Sequence, residues 1–235
     1  MQDNIDVRPH AKWSNVFWVT LEDGSRRLAT RNLTLGKSVY GERLIQCGAE
    51  EYRVWDPYRS KLAAAIMKDI APMPIEPSKK ILYLGSASGT TASHVSDIVG
   101  EKGSVYCVEF SARVMRELIT NLCGDRANVY PILEDVRFPG RYRHTIDKAG
   151  AIYCDVAQPE QAKIIADNAD AYLEADSGAM LAIKSRSIDV TKSPASVFKK
   201  EIEILQSRSF SVASTARLEP FDRDHAMVSM IYKSH

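Results

Sequence analysis

One stretch of the sequence stands out for its chemistry: Ile81-Leu82-Tyr83-Leu84-Gly85-Ser86-Ala87-Ser88-Gly89-Thr90-Thr91, an apolar run that passes into small residues. A strand that turns through small residues into a helix lets its backbone approach a ligand closely. The free amides at the helix start then attract negative or polar groups. Ala87 stands where a dinucleotide fingerprint carries its second glycine, which weakens a pyrophosphate reading. Taken alone, the stretch has a plain tight strand-to-helix turn as its competing explanation.

Two acids extend the pattern. Glu109 ends the run Val105-Tyr106-Cys107-Val108, twenty residues beyond Gly89, where a carboxylate accepts hydrogen bonds from both hydroxyls of an adenosine ribose. Asp135 follows the next apolar run in Leu133-Glu134-Asp135-Val136, within reach of an adenine amino group. A glycine turn, a ribose acid and a base acid on three successive strand ends fit S-adenosylmethionine better than NAD, because the sulfonium cofactor has no pyrophosphate. Either acid singly could instead cap the helix that follows it. Two later runs end on opposite charges, Asp155 after Ala151-Ile152-Tyr153-Cys154 and Lys184 after Met180-Leu181-Ala182-Ile183. Both therefore belong at the ligand-binding edge of such a sheet. For Lys184 the alternative is a lysine that merely reaches solvent.

These residues need a scaffold of alternating strands and helices, and the chain supplies one. Apolar runs at 80–84, 104–108, 128–133, 149–154, 179–183, 210–216 and 226–232 predict seven strands. Helical periods predict helices over 91–99, 112–122, 159–173 and 196–206. This alternation implies an α/β fold with a mostly parallel sheet covered on both faces. The last two strands lack an intervening helix and should form an antiparallel hairpin at one edge. An amphipathic helix over 58–70, starting near Pro57, precedes the Pro72, Pro74 and Pro77 connector. The residues before it read as a small β-rich domain with a hairpin across Glu22-Asp23-Gly24-Ser25. The expected domains are 1–56 and 57–235.

Composition narrows the classes further. With 45% hydrophobic and 26% charged residues over 235 positions, the chain is an ordinary globular protein rather than a disordered one. No window reaches the ~18 apolar residues of a membrane span, and Met1–Asp6 lacks a signal-peptide pattern, so a cytoplasmic protein without membrane contact is expected. Cys47, Cys107, Cys123 and Cys154 have neither paired nor metal-ligand spacing, which predicts neither a disulfide nor a metal. The net charge of +1 argues against a protein that grips nucleic acid strongly by itself.

The sequence resembles the fibrillarin family, the 2′-O-methyltransferases of box C/D ribonucleoproteins. The resemblance rests on Tyr83 to Thr91, Val108-Glu109-Phe110-Ser111, Asp155-Val156-Ala157-Gln158-Pro159, Arg223-Asp224-His225-Ala226, and Trp55-Asp56-Pro57-Tyr58-Arg59-Ser60-Lys61-Leu62-Ala63-Ala64-Ala65-Ile66. It spans the chain from about the first hairpin onward and is of the short archaeal type. It implies a Rossmann-like class I methyltransferase fold with a seven-stranded sheet and a small N-terminal β domain. Carried onto this chain, the family's cofactor contacts fall on Thr90, Thr91, Glu109, Phe110, Asp135, Val136 and the run Asp155, Val156, Ala157 and Gln158, beside the turn residues Gly85, Ser86, Ala87 and Gly89. A Lys-Asp-Lys-His set similar to the family's tetrad is Lys61, Asp155, Lys184 and His225. Lys61 could equally be a solvated helix lysine, and His225 a structural histidine whose work falls to a neighbour such as Asp224.

Methyl transfer to a 2′-hydroxyl makes RNA the expected substrate, since DNA lacks that oxygen. Arg53, Arg59, Lys61 and Lys68, then Arg137, Arg141 and Arg143, then Lys184, Arg186 and Lys192 predict a basic active edge, against an acidic patch at Asp167, Asp170, Glu174 and Asp176. The resemblance implies partners: a box C/D guide RNA that selects rRNA or tRNA targets, a Nop-domain scaffold protein, and a kink-turn-binding ribosomal-protein homologue. Rival readings are a methyltransferase for protein or a small molecule and a non-catalytic assembly subunit that binds cofactor. A dehydrogenase is the weakest rival.

Overall fold

The first sheet is covered on both faces: Val16 and Leu28 pack into the large core, while Val19 and Ala29, on the opposite face, join a small cluster with Ile45. In the computed structural model, which describes residues 5–233, β1 (Asp6–Pro9), β2 (Val16–Thr20), β3 (Arg26–Arg31), β4 (Leu44–Cys47) and β5 (Glu50–Trp55) form an antiparallel sheet in the order β1-β2-β3-β5-β4. The β2–β3 hairpin turns at the expected residues, with Gly24 N donating to Leu21 O. Residues 1–4 and 234–235, the outer ends of the two expected domains and most of the Met1–Asp6 segment, lie outside the described residues.

The second sheet carries β6 (Lys80–Leu84), β7 (Ser104–Glu109), β8 (Val129–Leu133), β9 (Ala149–Cys154), β10 (Leu173–Lys184), β11 (Phe210–Arg217) and β12 (His225–Tyr232). Their order is β11-β12-β10-β9-β6-β7-β8. The five strands β6 to β10 run parallel, and β12 is antiparallel to both neighbours. The closing hairpin is therefore present, but its second strand inserts between β10 and β11 rather than taking the edge. Each central strand is buried on both faces. Ile81 and Tyr83 join one core, and Leu82 and Leu84 the other.

Helices α1 (Lys61–Met67), α2 (Thr90–Val99), α3 (Ala112–Leu118), α4 (Gln161–Tyr172), α5 (Ser185–Ile188) and α6 (Pro194–Ser207) connect and cover the strands. The first helix is shorter than its periodicity predicts. Pro57 does not begin it; Ser60 does, its hydroxyl accepting from Ala63 N at 3.3 Å. The α3 helix likewise stops early and passes into a π-helical turn over Ile119–Cys123. After β6 the chain builds β7 and β8 on one side and then crosses to β9 on the other. The crevice at the carboxyl end of β6 is thus the topological switch point.

A buried polar cluster clamps the first sheet onto α2. Asp97 accepts from Arg53 Nη1 at 2.8 Å and Thr30 Oγ1 at 2.7 Å, and also pairs with Arg126. Glu42 takes Arg53 Nε at 2.6 Å. Arg53 is 0% exposed, so its expected place on a basic active edge is wrong. Its charge is consumed by two carboxylates inside the protein, and breaking such a buried pair leaves an uncompensated charge.

Candidate active site

The glycine turn is shaped by backbone that few side chains tolerate. Gly85 has φ +78° and Gly89 φ +102°, both in the left-handed region. A Cβ on Gly85 would lie 3.0 Å from Asp155 O and 3.0 Å from Val156 Cγ1; one on Gly89 would lie 2.9 Å from Leu118 Cδ1. The turn is therefore pressed against the end of β9 on one side and α3 on the other. Ser86 is buried, and its hydroxyl has no partner among the described residues.

Beside the turn lies a cleft of about 340 Å³. Of the expected cofactor residues, it brings together Gly85, Ala87, Glu109, Phe110, Val136, Asp155, Val156, Ala157 and Gln158, with Lys184 at its edge. Glu109 Oε1 accepts from Ser111 N at 2.9 Å; no hydrogen bond to Oε2 is present among the described residues. Phe110 is 65% exposed and offers an aromatic face. Ser86, Gly89, Thr90, Thr91 and Asp135 lie outside the lining. Thr91 donates to Ser60 Oγ at 2.9 Å, which ties the start of α2 to the cap of α1. Asp135 is held by Arg137, with Nη2 at 2.6 Å and Nε at 3.0 Å from Oδ2. That guanidinium hydrogen bond outweighs partial burial and keeps the Asp135 carboxyl below the usual range. The close-approach turn, the Glu109 carboxylate at the cleft and the exposed Phe110 ring fit an adenosine cofactor.

The four expected catalytic residues converge from separate elements. Asp155 follows β9, and Lys184 ends β10. Lys184 Nζ lies 2.8 Å from Asp155 Oδ1, while its directed hydrogen bond goes to the Asp155 carbonyl oxygen at 2.9 Å. Lys61 Nζ, from the first residue of α1, approaches the same Oδ1 at 3.5 Å. The antiparallel register of β10 and β12 sets Lys184 opposite His225.

Asp222 completes the set, and sequence reasoning missed it. Its Oδ2 is 3.6 Å from Lys61 Nζ and its Oδ1 is 2.8 Å from His225 Nδ1. Burial would raise the Asp222 carboxyl, but the His225 ring and the Lys61 ammonium hold it below the usual range. Asp224, the neighbour considered beforehand, points elsewhere: its side chain pairs with Arg186 and its carbonyl accepts from Ser185. The available signal was an acid three residues before His225, and two acids shared that short segment. His225 Nδ1 also lies 2.6 Å from Arg223 O. Both of its neighbours are acceptors, so Nδ1 carries a hydrogen and Nε2 is the ring atom left to face a ligand.

Two supports lie beneath this row. Gln161, fully buried at the start of α4, accepts from Lys184 N at 2.9 Å and fixes the backbone that carries the lysine. Tyr153 is buried under Asp155; burial first, and then the Asp155 charge, push its phenol far up, so it stays neutral.

A sheet of this strand order with a glycine turn, a strand-end glutamate lining the cleft and a charged strand-end row defines a Rossmann-like S-adenosylmethionine-dependent methyltransferase. The family model described as Fibrillarin matches residues 7–234, and the chain belongs to that family. It is 53% identical over 234 residues to a fibrillarin-like rRNA/tRNA 2′-O-methyltransferase of Staphylothermus marinus, covering 99% of each chain. Among solved structures, Aeropyrum pernix fibrillarin with natively bound S-adenosyl-L-methionine superposes with a TM-score of 0.91 at 50% identity, over 97% of this chain and 100% of that one. A chain of a fibrillarin/Nop5p complex superposes with a TM-score of 0.83 at 35% identity, over 96% and 100%.

Proposed function

We propose that this protein is the catalytic subunit of a box C/D guide ribonucleoprotein, transferring a methyl group from S-adenosylmethionine to the 2′-hydroxyl of guide-selected rRNA and tRNA nucleotides. The observation that carries the reading is the row Lys184–Asp155–Lys61–Asp222–His225 at the mouth of the cofactor cleft. Bound there, the sulfonium cofactor supplies an electrophilic methyl group for in-line displacement. The protein's task is then mainly alignment and charge control.

In this reading Asp155 anchors Lys184, whose Nζ meets the 2′-hydroxyl and carries its proton or stabilises the charge that develops on oxygen. Lys61, shared between Asp155 and Asp222, and His225 Nε2 position the ribose. Gly85, Glu109, Phe110 and Val136 hold the adenosine end of the cofactor. Asp135 joins them by exchanging part of its bond to Arg137. The even overall charge supports delegation of RNA affinity to a guide RNA, a Nop-domain scaffold and a kink-turn-binding protein. A close relative's crystallisation with Nop5p supports the scaffold.

The test is labelled-methyl transfer from S-adenosylmethionine to target RNA, with and without guide RNA and partner proteins. Label is expected on the guided 2′-hydroxyl in the full assembly. Label on a 2′-deoxy target, or none in the full assembly, overturns the proposal.

A further inference from the structure

The first turn of α4 is held by a group that the chemistry above does not use. Glu160, at the position preceding the helix, makes no side-chain cap. The orphan amide of Ala162 donates instead to Glu201 Oε2 at 2.8 Å, a carboxylate that reaches across from α6. Glu201 is 3% exposed and takes part in no ion pair among the described residues. Burying a carboxylate is costly, and here one amide and the positive end of the α4 dipole offset the cost. Burial pushes the Glu201 carboxyl above the usual range, while the Ala162 amide and the Lys200 charge oppose the rise.

That turn carries Gln161, and Gln161 holds the backbone of the catalytic lysine. The ladder between β9 and β10 stops at the Cys154–Leu181 pair, short of Lys184. In its place the Lys184 N–H donates to Gln161 Oε1 at 2.9 Å. Gln161 is fully buried and its Nε2 has no partner among the described residues, so its carboxamide is held through Oε1 alone. Where that oxygen sits is therefore set by the first turn of α4. The contacts run from Glu201 to the Ala162 amide, through Gln161 to the Lys184 amide, and end where the Lys184 ammonium meets Asp155 at 2.8 Å. Asp155 fixes the tip of the lysine, and the contacts from α6 fix its root.

We infer that Glu201 is a positioning residue for methyl transfer: by capping α4 from α6 it fixes Gln161 and, through Gln161, the strand end from which Lys184 reaches the 2′-hydroxyl. The inference rests on the proposed RNA 2′-O-methylation and extends its machinery to a side chain that does not line the cofactor cleft. Its requirement is reach rather than charge, because a neutral carboxamide oxygen accepts the same amide.

The test uses the assembled guide ribonucleoprotein and two variants that separate reach from charge. Glu201→Gln keeps the length of the side chain and an acceptor oxygen; Glu201→Asp keeps the charge and withdraws it by one methylene. Glu201→Asp should lower kcat about tenfold, less than the ~10²-fold of a 1 Å misplacement at the reacting atoms, with KM for target RNA and cofactor affinity unchanged. Glu201→Gln should restore the rate. Gln161→Met, which severs the second link directly, should cost a similar factor, and adding Glu201→Asp to it should cost nothing more, the coupling expected within one set of contacts. Hydrogen exchange of the Lys184 amide, which does not depend on turnover, should quicken in Glu201→Asp and not in Glu201→Gln.

An unchanged kcat in Glu201→Asp or in Gln161→Met overturns the proposal, as do losses that add in full. Equal losses in Glu201→Asp and Glu201→Gln overturn it by assigning the effect to charge, and a fall in cofactor affinity does so by placing the effect on the cleft. Failure of Glu201→Asp to fold would make the carboxylate a support of the whole helix and also overturns it. Failure of the underlying function is a separate result: the wild type would then methylate no target, while exchange of the Lys184 amide would still follow the reach of residue 201.

Discussion

Lys184 and Asp155 touch twice, through the carbonyl oxygen at 2.9 Å and through Oδ1 at 2.8 Å, so one residue's backbone and side chain together fix a single ammonium. A lysine held this way has little freedom to reach solvent, and its usefulness lies in being aimed. Lys184→Ala should lower methyl transfer by roughly 10²–10⁴-fold, the usual worth of a positioned proton-transfer group, with cofactor affinity nearly intact. Asp155→Ala should impair both, because Asp155 also lines the cleft. Single-turnover methylation paired with calorimetric titration of S-adenosylmethionine separates the two; equal loss of binding in Lys184→Ala would assign that lysine a structural role.

Asp222 is expected to behave as a positioning residue. Asp222→Asn removes the charge that holds Lys61 and His225 together, and misplacement of about 1 Å at such a site costs on the order of 10²-fold in rate. The loss should fall on kcat more than on cofactor affinity, since Asp222 does not line the cleft. Its companion Asp224→Asn should have a much smaller effect on turnover, because that carboxylate serves Arg186. Equal effects of the two changes would remove the distinction drawn between them.

What could be read from the sequence follows the range of the interactions. The glycine turn and Glu109 are local features: an apolar run, small residues and a helix start lie within about a dozen positions, and the strand-end acid needs only its own strand. Asp155 and Lys184 are legible for the same reason. The part played by Asp222 depends on the β10–β12 register and on the turn before β12, neither of which has a local signature. Arg53 shows the opposite error. Flanking a helix among other cations it resembles a surface arginine, yet its carboxylate partners are Glu42 and Asp97, and the latter is 44 positions away. Likewise α1 is shorter than its amphipathic period because Ser60 caps its start and the chain leaves the helix after Met67, where Lys68 closes the last turn and Asp69 takes a left-handed φ of +59°.

The glycine turn yields a prediction about binding. Gly85→Ala places a Cβ at 3.0 Å from Asp155 O and Val156 Cγ1 in a backbone conformation with φ +78°. The turn must then shift away from β9, which opens the cleft on the side where Asp155 and Val156 line it. Cofactor affinity should fall at least tenfold, and stability by about 1–3 kcal/mol from crowding and left-handed strain. Calorimetric titration and denaturant unfolding of the same variant measure the two; unchanged affinity would show that the turn does not approach the cofactor.

His94 sets the acid limit of the clamp between the two sheets. It is fully buried, stacked on Trp55 at 4.6 Å, with Thr30 Oγ1 at 2.8 Å and Tyr40 Oη at 2.6 Å from its ring nitrogens. Burial first, and then the Arg53 and Arg126 charges, hold its pKa well below the ordinary 6.5. The unfolded chain therefore binds a proton that the folded one refuses as pH drops below 6.5, so stability increases with pH across that window and is lost on acidification. The slope for this one group approaches about 1.4 kcal/mol per pH unit at its steepest. Denaturant unfolding between pH 7.5 and 5 should show the loss, and His94→Gln should flatten it while lowering stability at pH 7.5 through its missing stack on Trp55. A variant that keeps the wild-type slope would place the acid sensitivity elsewhere than in this clamp.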